Sequence, residues 1–284
     1  MLDAVRAEAL KLHRHRATWL MVWIYPVLIT VLVIGLLIYG GVKAPSAPEK
    51  VKTAAEWIRS SALLWNFPTS APGRFLIAGF CAVVFAGEYG WNTWKLIIPA
   101  RVRWQLIAAK WVVALGLVMI SLIAADLIGM LGDWLQTFQG DKIPEGVTAA
   151  AVFQAHAKAA AYALFPIVYT IAFAGMFAVL TQSVLATVIL SIAIVVLEGM
   201  TPLISLFAYR YVPGATVMLV KTLPFFHQAN LSMSAKGVTT GLTLPLGPAD
   251  IITATWWTSF AVLAAWIVAA LAVTQLRFAR QDLN

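Results

Sequence analysis

Charge is scarce in this chain. Asp, Glu, Lys and Arg make up 11% of its 284 residues, against 61% hydrophobic, and the mean hydropathy is +0.85. Soluble domains carry about 25% charged residues, so the composition excludes that class and points to a polytopic membrane protein. Cysteine is nearly absent. Cys81 stands alone inside an apolar run, so no disulfide framework holds the fold. No G-x-x-x-x-G-K-[ST] loop occurs, which excludes ATP hydrolysis by that route. No H-E-x-x-H occurs either, and His13, His15, His156 and His227 lie too far apart in sequence to suggest a metal site. Neither a nucleophile with a base on a facing helix nor paired metal-binding motifs stands out, which disfavours a membrane enzyme. No cleavable signal peptide is expected, because the first apolar run begins near Thr18 and is too long for one.

What is present is a succession of long apolar runs with basic residues beside them. The net charge of +8 therefore reads as topology signals and contacts to anionic headgroups, not as a nucleic-acid surface. At about 20 residues per crossing, the runs predict spans over 19–39, 70–88, 104–131, 155–180, 184–200 and 251–276. Pro26 in the first is tolerable if neighbours satisfy the carbonyl it frees. The second has a short apolar core, Phe75 to Gly87, and reaches full length only with Arg74 snorkelling to the outer interface. Residues 2–16 read as an amphipathic interfacial helix, with Leu2, Val5, Ala9 and Leu12 at helical spacing; a disordered basic tail is the alternative. Residues 201–248, broken by Pro202, Pro213, Pro224, Pro245 and Pro248, read as an external re-entrant segment. The fold class is an all-α polytopic membrane protein of one domain, 1–284. Its six transmembrane helices are joined by short connections, and both termini are expected on the cytoplasmic side.

The most informative connection is Glu88 to Trp111. Gly90 permits a sharp bend, Asn92 or Thr93 can cap a short helix, and Pro99 stops it. On a helix over 91–98, Trp91, Trp94, Lys95 and Ile98 fall at i, i+3, i+4 and i+7 and share one face. Arg101 and Arg103 then mark the next cytoplasmic boundary. Such a face either anchors the loop in the interface through its tryptophans or is presented to a partner.

This stretch resembles the region between the second and third spans of type-2 ATP-binding-cassette transporter permeases. The pattern appears as Glu88-Tyr89, Thr93-Trp94-Lys95, Arg101, Arg103 and Lys110. The opening AEALKLHRHRATWL, the segment Tyr211-Val212-Pro213-Gly214-Ala215 and the tail RFARQDL are similar to that family as well. The resemblance implies a permease subunit of an exporter in the cytoplasmic membrane, paired with a second permease copy and two copies of a cytoplasmic ATP-binding subunit. Helix 91–98 would be a coupling helix, with Glu88, Trp91, Trp94, Lys95, Ile98 and Arg101 meeting the ATPase. ATP and magnesium would belong to that subunit, and this chain would bind no cofactor. Relatives carry peptide antibiotics, drugs, lipids and metal-related cargo.

Ionisable residues within apolar runs cost roughly 2.5–3.5 kcal/mol each and so pair or line water. Asp126, His156, Lys158, Glu198 and Arg210 all map to the outer half. They suggest a polar vestibule for a departing solute, or a structural ion pair between Glu198 and Arg210. A self-contained secondary transporter or channel is the rival reading; it would show internal repeats and a charge near the midplane, and neither is evident.

Overall fold

A computed structural model describes residues 1–42, 53–90, 93–94, 102–140, 142–235, 243–246 and 251–281. The chain opens with helix α1 (Leu2–His13), which carries Asp3 in its first turn and Lys11 and His13 in its last. That distribution complements the helix dipole. The His15 ring accepts from the Ala17 N–H and starts a short α2 (Arg16–Met21). Helix α3 (Ile24–Val42) follows, so the expected 2–16 helix stops at His13 and the first span is split at Val22–Trp23. Pro26 is the cause. It has no N–H to offer the Val22 carbonyl one turn back. The carbonyl instead accepts from Ser121 Oγ at 2.6 Å, a donor supplied by a neighbouring helix.

Thr53 and Glu56 form a capping box at the start of α4 (Ala54–Ser61). A 3-10 turn, Ala62–Asn66, leads on to α5 (Ala71–Gly90). Helices α6 (Arg103–Gln136) and α7 (Ala149–Thr181) are the longest. Gln182 adopts the left-handed conformation at φ 55°, and Ser183 caps α8 (Val184–Tyr209). This is a short connection between the expected spans 155–180 and 184–200. Helix α8 continues through Pro202 to Tyr209, beyond the expected end at 200. The first part of the supposed re-entrant segment is therefore simply the last two turns of a long helix.

Two short helices follow, α9 (Pro213–Thr222) and α10 (Pro224–Ala235), each beginning at a proline where no helical N–H is needed. His227 on α10 is held neutral-leaning by burial, which lowers its pKa; Nε2 donates to the Lys221 carbonyl and Nδ1 accepts from Ser259. Strands β1 (Leu244–Pro245) and β2 (Ile251–Ile252) pair antiparallel, Leu244 opposite Ile252, a small ladder the all-α expectation did not contain. It displaces the last helix, expected at 251–276, to α11 (Trp256–Arg280).

The core lies where α5, α6 and α7 meet, around Phe80, Phe85, Leu122, Ile167 and Ile171. Packing depends on close approach: a Cβ on Gly132 would meet Val33 of α3 at 2.6 Å, and one on Gly175 would meet the Trp111 ring at 2.7 Å. Small residues at such contacts are the usual means by which helices associate in lipid. The outer surface is apolar, with Leu32, Ile189, Leu197, Phe207 and Val268 exposed. Among the described residues, five helical stretches are long and apolar enough to cross a membrane: Ala54–Gly90, Arg103–Gln139, Ala149–Thr181, Val184–Tyr209 and Trp256–Arg280. The protein is a helical, multi-pass membrane protein.

The proline–serine arrangement is testable. Ser121→Ala should cost about 1–2 kcal/mol, the penalty for a buried carbonyl left without a donor, since the Tyr25 N–H at 3.4 Å is too distant to replace it. Adding Pro26→Ala restores a backbone donor and should recover most of the loss in thermal unfolding of the detergent-solubilised protein. Additive losses would show that Ser121 does not serve Val22.

Candidate functional site

The two ends of the bundle are built differently. At the α1 end, five elements converge on Lys110, which is 2% exposed. Its ammonium donates to Glu8 of α1 at 3.0 Å, Glu88 of α5 at 3.0 Å and the Val84 carbonyl at 2.9 Å. That uses all of its protons. Lys11 bridges the same two carboxylates from the rim. Burial disfavours the Lys11 ammonium, but Glu8 and Glu88 outweigh this and raise its pKa above the ordinary lysine value. Thr93 donates through its hydroxyl to the Glu88 carboxylate and through its N–H to the Glu88 carbonyl, so Glu88 braces the bend after α5.

Trp94 completes this knot. Its ring lies 5.3 Å from the Lys110 ammonium, a cation–π contact. It packs on Phe278 at 4.6 Å and Tyr89 at 5.8 Å between ring centroids. The end of α11 is fastened in the same place. Arg103 donates to the carbonyls of Phe278, Ala279 and Gln281, and Gln281 links Tyr89 to the Val179 carbonyl.

Two expectations change here. Trp94 was expected to face an ATPase subunit; it is 2% exposed and seated in its own chain, because a ring this large gains more by covering the Lys110 charge. Glu88 is 5% exposed and likewise turned inward. Trp91, Lys95, Ile98 and Arg101, with the rest of the 91–98 helix, lie outside the described residues.

At the opposite, α4 end, the ionisable residues pair otherwise than expected. Glu198 binds Arg74, Oε2 to Nη1 at 2.6 Å. It does not bind Arg210, because the unbroken α8 carries Arg210 about 18 Å further along the axis, where it is exposed. Arg74 does not snorkel outward; it is 6% exposed, donates from Nε to Thr170 at 2.9 Å and lies over the Tyr169 ring. The Asp126 carboxylate holds His156 Nδ1 at 2.9 Å, and His156 Nε2 is 3.0 Å from Ser61 Oγ.

Serine, histidine and aspartate thus stand in the order of a nucleophile, base and orienting acid. However, Ser61 Oγ donates to the Ile58 carbonyl at 2.9 Å. Its single proton is engaged there, so it is not directed at His156 Nε2 as a nucleophile's would be. The chain of contacts staples α4 to α6 and α7. Beside it opens a cavity of about 1330 Å³ between α4, α5, α7, α8 and α10, lined by Arg74, Glu198 and Lys158 among apolar side chains. Among the described residues no cluster of three metal-ligating side chains occurs.

Sequence reasoning named Asp126, His156, Lys158 and Glu198 but missed Arg74 and Ser61 as their partners. The signal was there in part. An acid and a base buried in apolar runs at matching depth each need an opposite charge. For the knot, Lys110→Met should leave Glu8 and Glu88 facing one another with only Lys11 between them. Breaking a buried pair costs about 3–5 kcal/mol. Cleavage within residues 2–13 by limited proteolysis should accelerate, and Glu88→Gln in the same chain should partly restore protection. Unchanged cleavage would mean that Lys110 does not hold α1.

No curated protein matches the chain. Residues 44–284 match a family described as "Protein of unknown function (DUF2705)", and the chain belongs to that family.

Proposed function

We propose that the chain is the membrane-spanning permease subunit of an ATP-binding-cassette exporter. One observation supports this above the rest. Three of the four stretches that resemble type-2 permeases meet around Trp94 and Lys110, through Glu8 and Lys11 near the start, Glu88, Trp94 and Lys110 in the middle and Phe278 near the end; the 211–215 stretch lies elsewhere. Motifs scattered along a chain have no reason to assemble unless that place does something. A rigid knot joining α1, α5, α6 and α11 is suited to receive a push and pass it to several spans at once.

In this reading α3 is the sixth crossing. Its 19 residues rise about 28 Å, close to the hydrocarbon thickness. The knot, with Arg6, Arg14, Arg16, Arg103, Arg277 and Arg280 near it in the chain, faces the cytoplasm of the cytoplasmic membrane. Two permease copies associate through exposed apolar faces and engage two ATPase subunits, which hold ATP and magnesium. Trp91, Lys95, Ile98 and Arg101 meet the ATPase, with Trp94 and Glu88 as the seat beneath them. The solute leaves at the α4 end.

Lys95→Glu should leave the permease folded and inserted while weakening ATPase capture, or lowering transport per ATP hydrolysed, about tenfold. Trp94→Ala should instead destabilise the permease by about 3–5 kcal/mol, as loss of a buried tryptophan does. Native coupling in Lys95→Glu, or a stable single chain that transports without any ATPase, would refute the proposal.

A further inference from the structure

The cavity at the α4 end contains an incomplete ion pair. An arginine and a carboxylate normally meet through two parallel hydrogen bonds. Arg74 and Glu198 share only one, Nη1 to Oε2. Arg74 Nη2 is buried and has no partner in the protein, Glu198 Oε1 is buried with only the Tyr169 hydroxyl beside its carboxylate, and Gln228 Nε2, on the α10 side of the same cavity, has none. A buried donor or acceptor left empty is destabilising, so each of these positions favours an occupant. Both charged residues are more than nine-tenths buried, and Thr170 and the Tyr169 ring hold the guanidinium in place. The open positions are therefore fixed: two donors and one anionic acceptor.

The surroundings restrict what can satisfy them. Ile58, Leu63, Tyr162, Phe165, Phe225 and Leu231 give the cavity an apolar wall, and Arg59 and Lys158 line it as well. Glu56, also on the wall, is engaged at the α4 cap. A volume of about 1330 Å³ exceeds the roughly 300–1,000 Å³ of most small-molecule sites. A long apolar body can lie in it beside a compact head. We propose that this cavity binds an amphiphile whose head carries a phosphate and a primary ammonium, with phosphatidylethanolamine as the matching lipid. The phosphate accepts from Arg74 Nη2 and Gln228 and is drawn in by Arg59 and Lys158, while the ammonium donates to Glu198 Oε1. A trimethylated head offers no N–H to Glu198 and fits poorly. Binding stands independently of the permease reading; only the identification of the amphiphile as cargo rests on it.

The test is native mass spectrometry of the whole chain in detergent, titrated with phosphatidylethanolamine and with phosphatidylcholine of the same acyl chains. Wild type should hold one phosphatidylethanolamine about tenfold more tightly than phosphatidylcholine, the scale of one charge-assisted hydrogen bond. Glu198→Gln should erase the preference. Because that change breaks a buried pair, Gln228→Leu and Ala159→Trp serve as further variants. The first should weaken retention severalfold, and the second, by filling the cavity, should abolish it. Excess soluble phosphoethanolamine should not displace the lipid if the apolar wall contributes; displacement would assign the site to the free head alone. Equal binding of the two lipids, hydration only, or a preference that survives both Glu198→Gln and Ala159→Trp in folded protein would overturn the site. If binding holds but a reconstituted ATPase complex does not move the lipid, the cargo assignment falls and the site remains.

Discussion

A lysine ammonium inside an apolar bundle has to be met by acceptors on every proton, and Lys110 imposes that condition on the whole α1 end. Two of its acceptors, Glu88 and the Val84 carbonyl, lie on α5, but the third is Glu8. The interfacial helix is thus not merely laid on the membrane; it is a structural part of the bundle. Trp94 shields the remaining face of the charge, and its contact with Phe278 brings in the far end of the chain. Remove the charge, and the reason for these five segments to meet disappears with it.

The opposite end follows the same rule with a different outcome. Arg74 and Glu198 neutralise one another, yet each retains an atom without a partner beside a large cavity. Buried polar groups are almost always satisfied. The first end meets every proton of its buried ammonium, while the second leaves both members of its ion pair with an open atom beside a cavity.

The course of the helices was legible because hydrophobic length is a local property. The long apolar runs, and the prolines at 213 and 224 that begin two short helices, are set by residues near them in sequence. Pairings were not legible. Arg74 looked like a snorkelling residue because its partner is 124 positions away. Glu198 was matched to Arg210 on the premise that Pro202 breaks the helix; it does not, and eleven helical residues separate the two along one axis. Trp94 shared a face with Lys95 on paper, but an indole beside a buried ammonium turns toward it. The β1–β2 ladder is only two residues a side, below what alternation can reveal.

The knot also has a history within each molecule. Glu8 emerges from the ribosome 102 residues before Lys110. At about 5–20 residues per second, the first helix waits roughly 5–20 seconds for the charge that secures it. Throughout that interval Glu8 and Lys11 have only each other and the headgroup region, which favours leaving α1 at the membrane surface while the spans behind it are inserted. Another fastening, Tyr89 to Gln281, spans 192 positions and cannot close until Gln281 has been made. The bundle is thus locked from its two ends toward each other, and a chain cut short before Gln281 would be inserted but left unlatched.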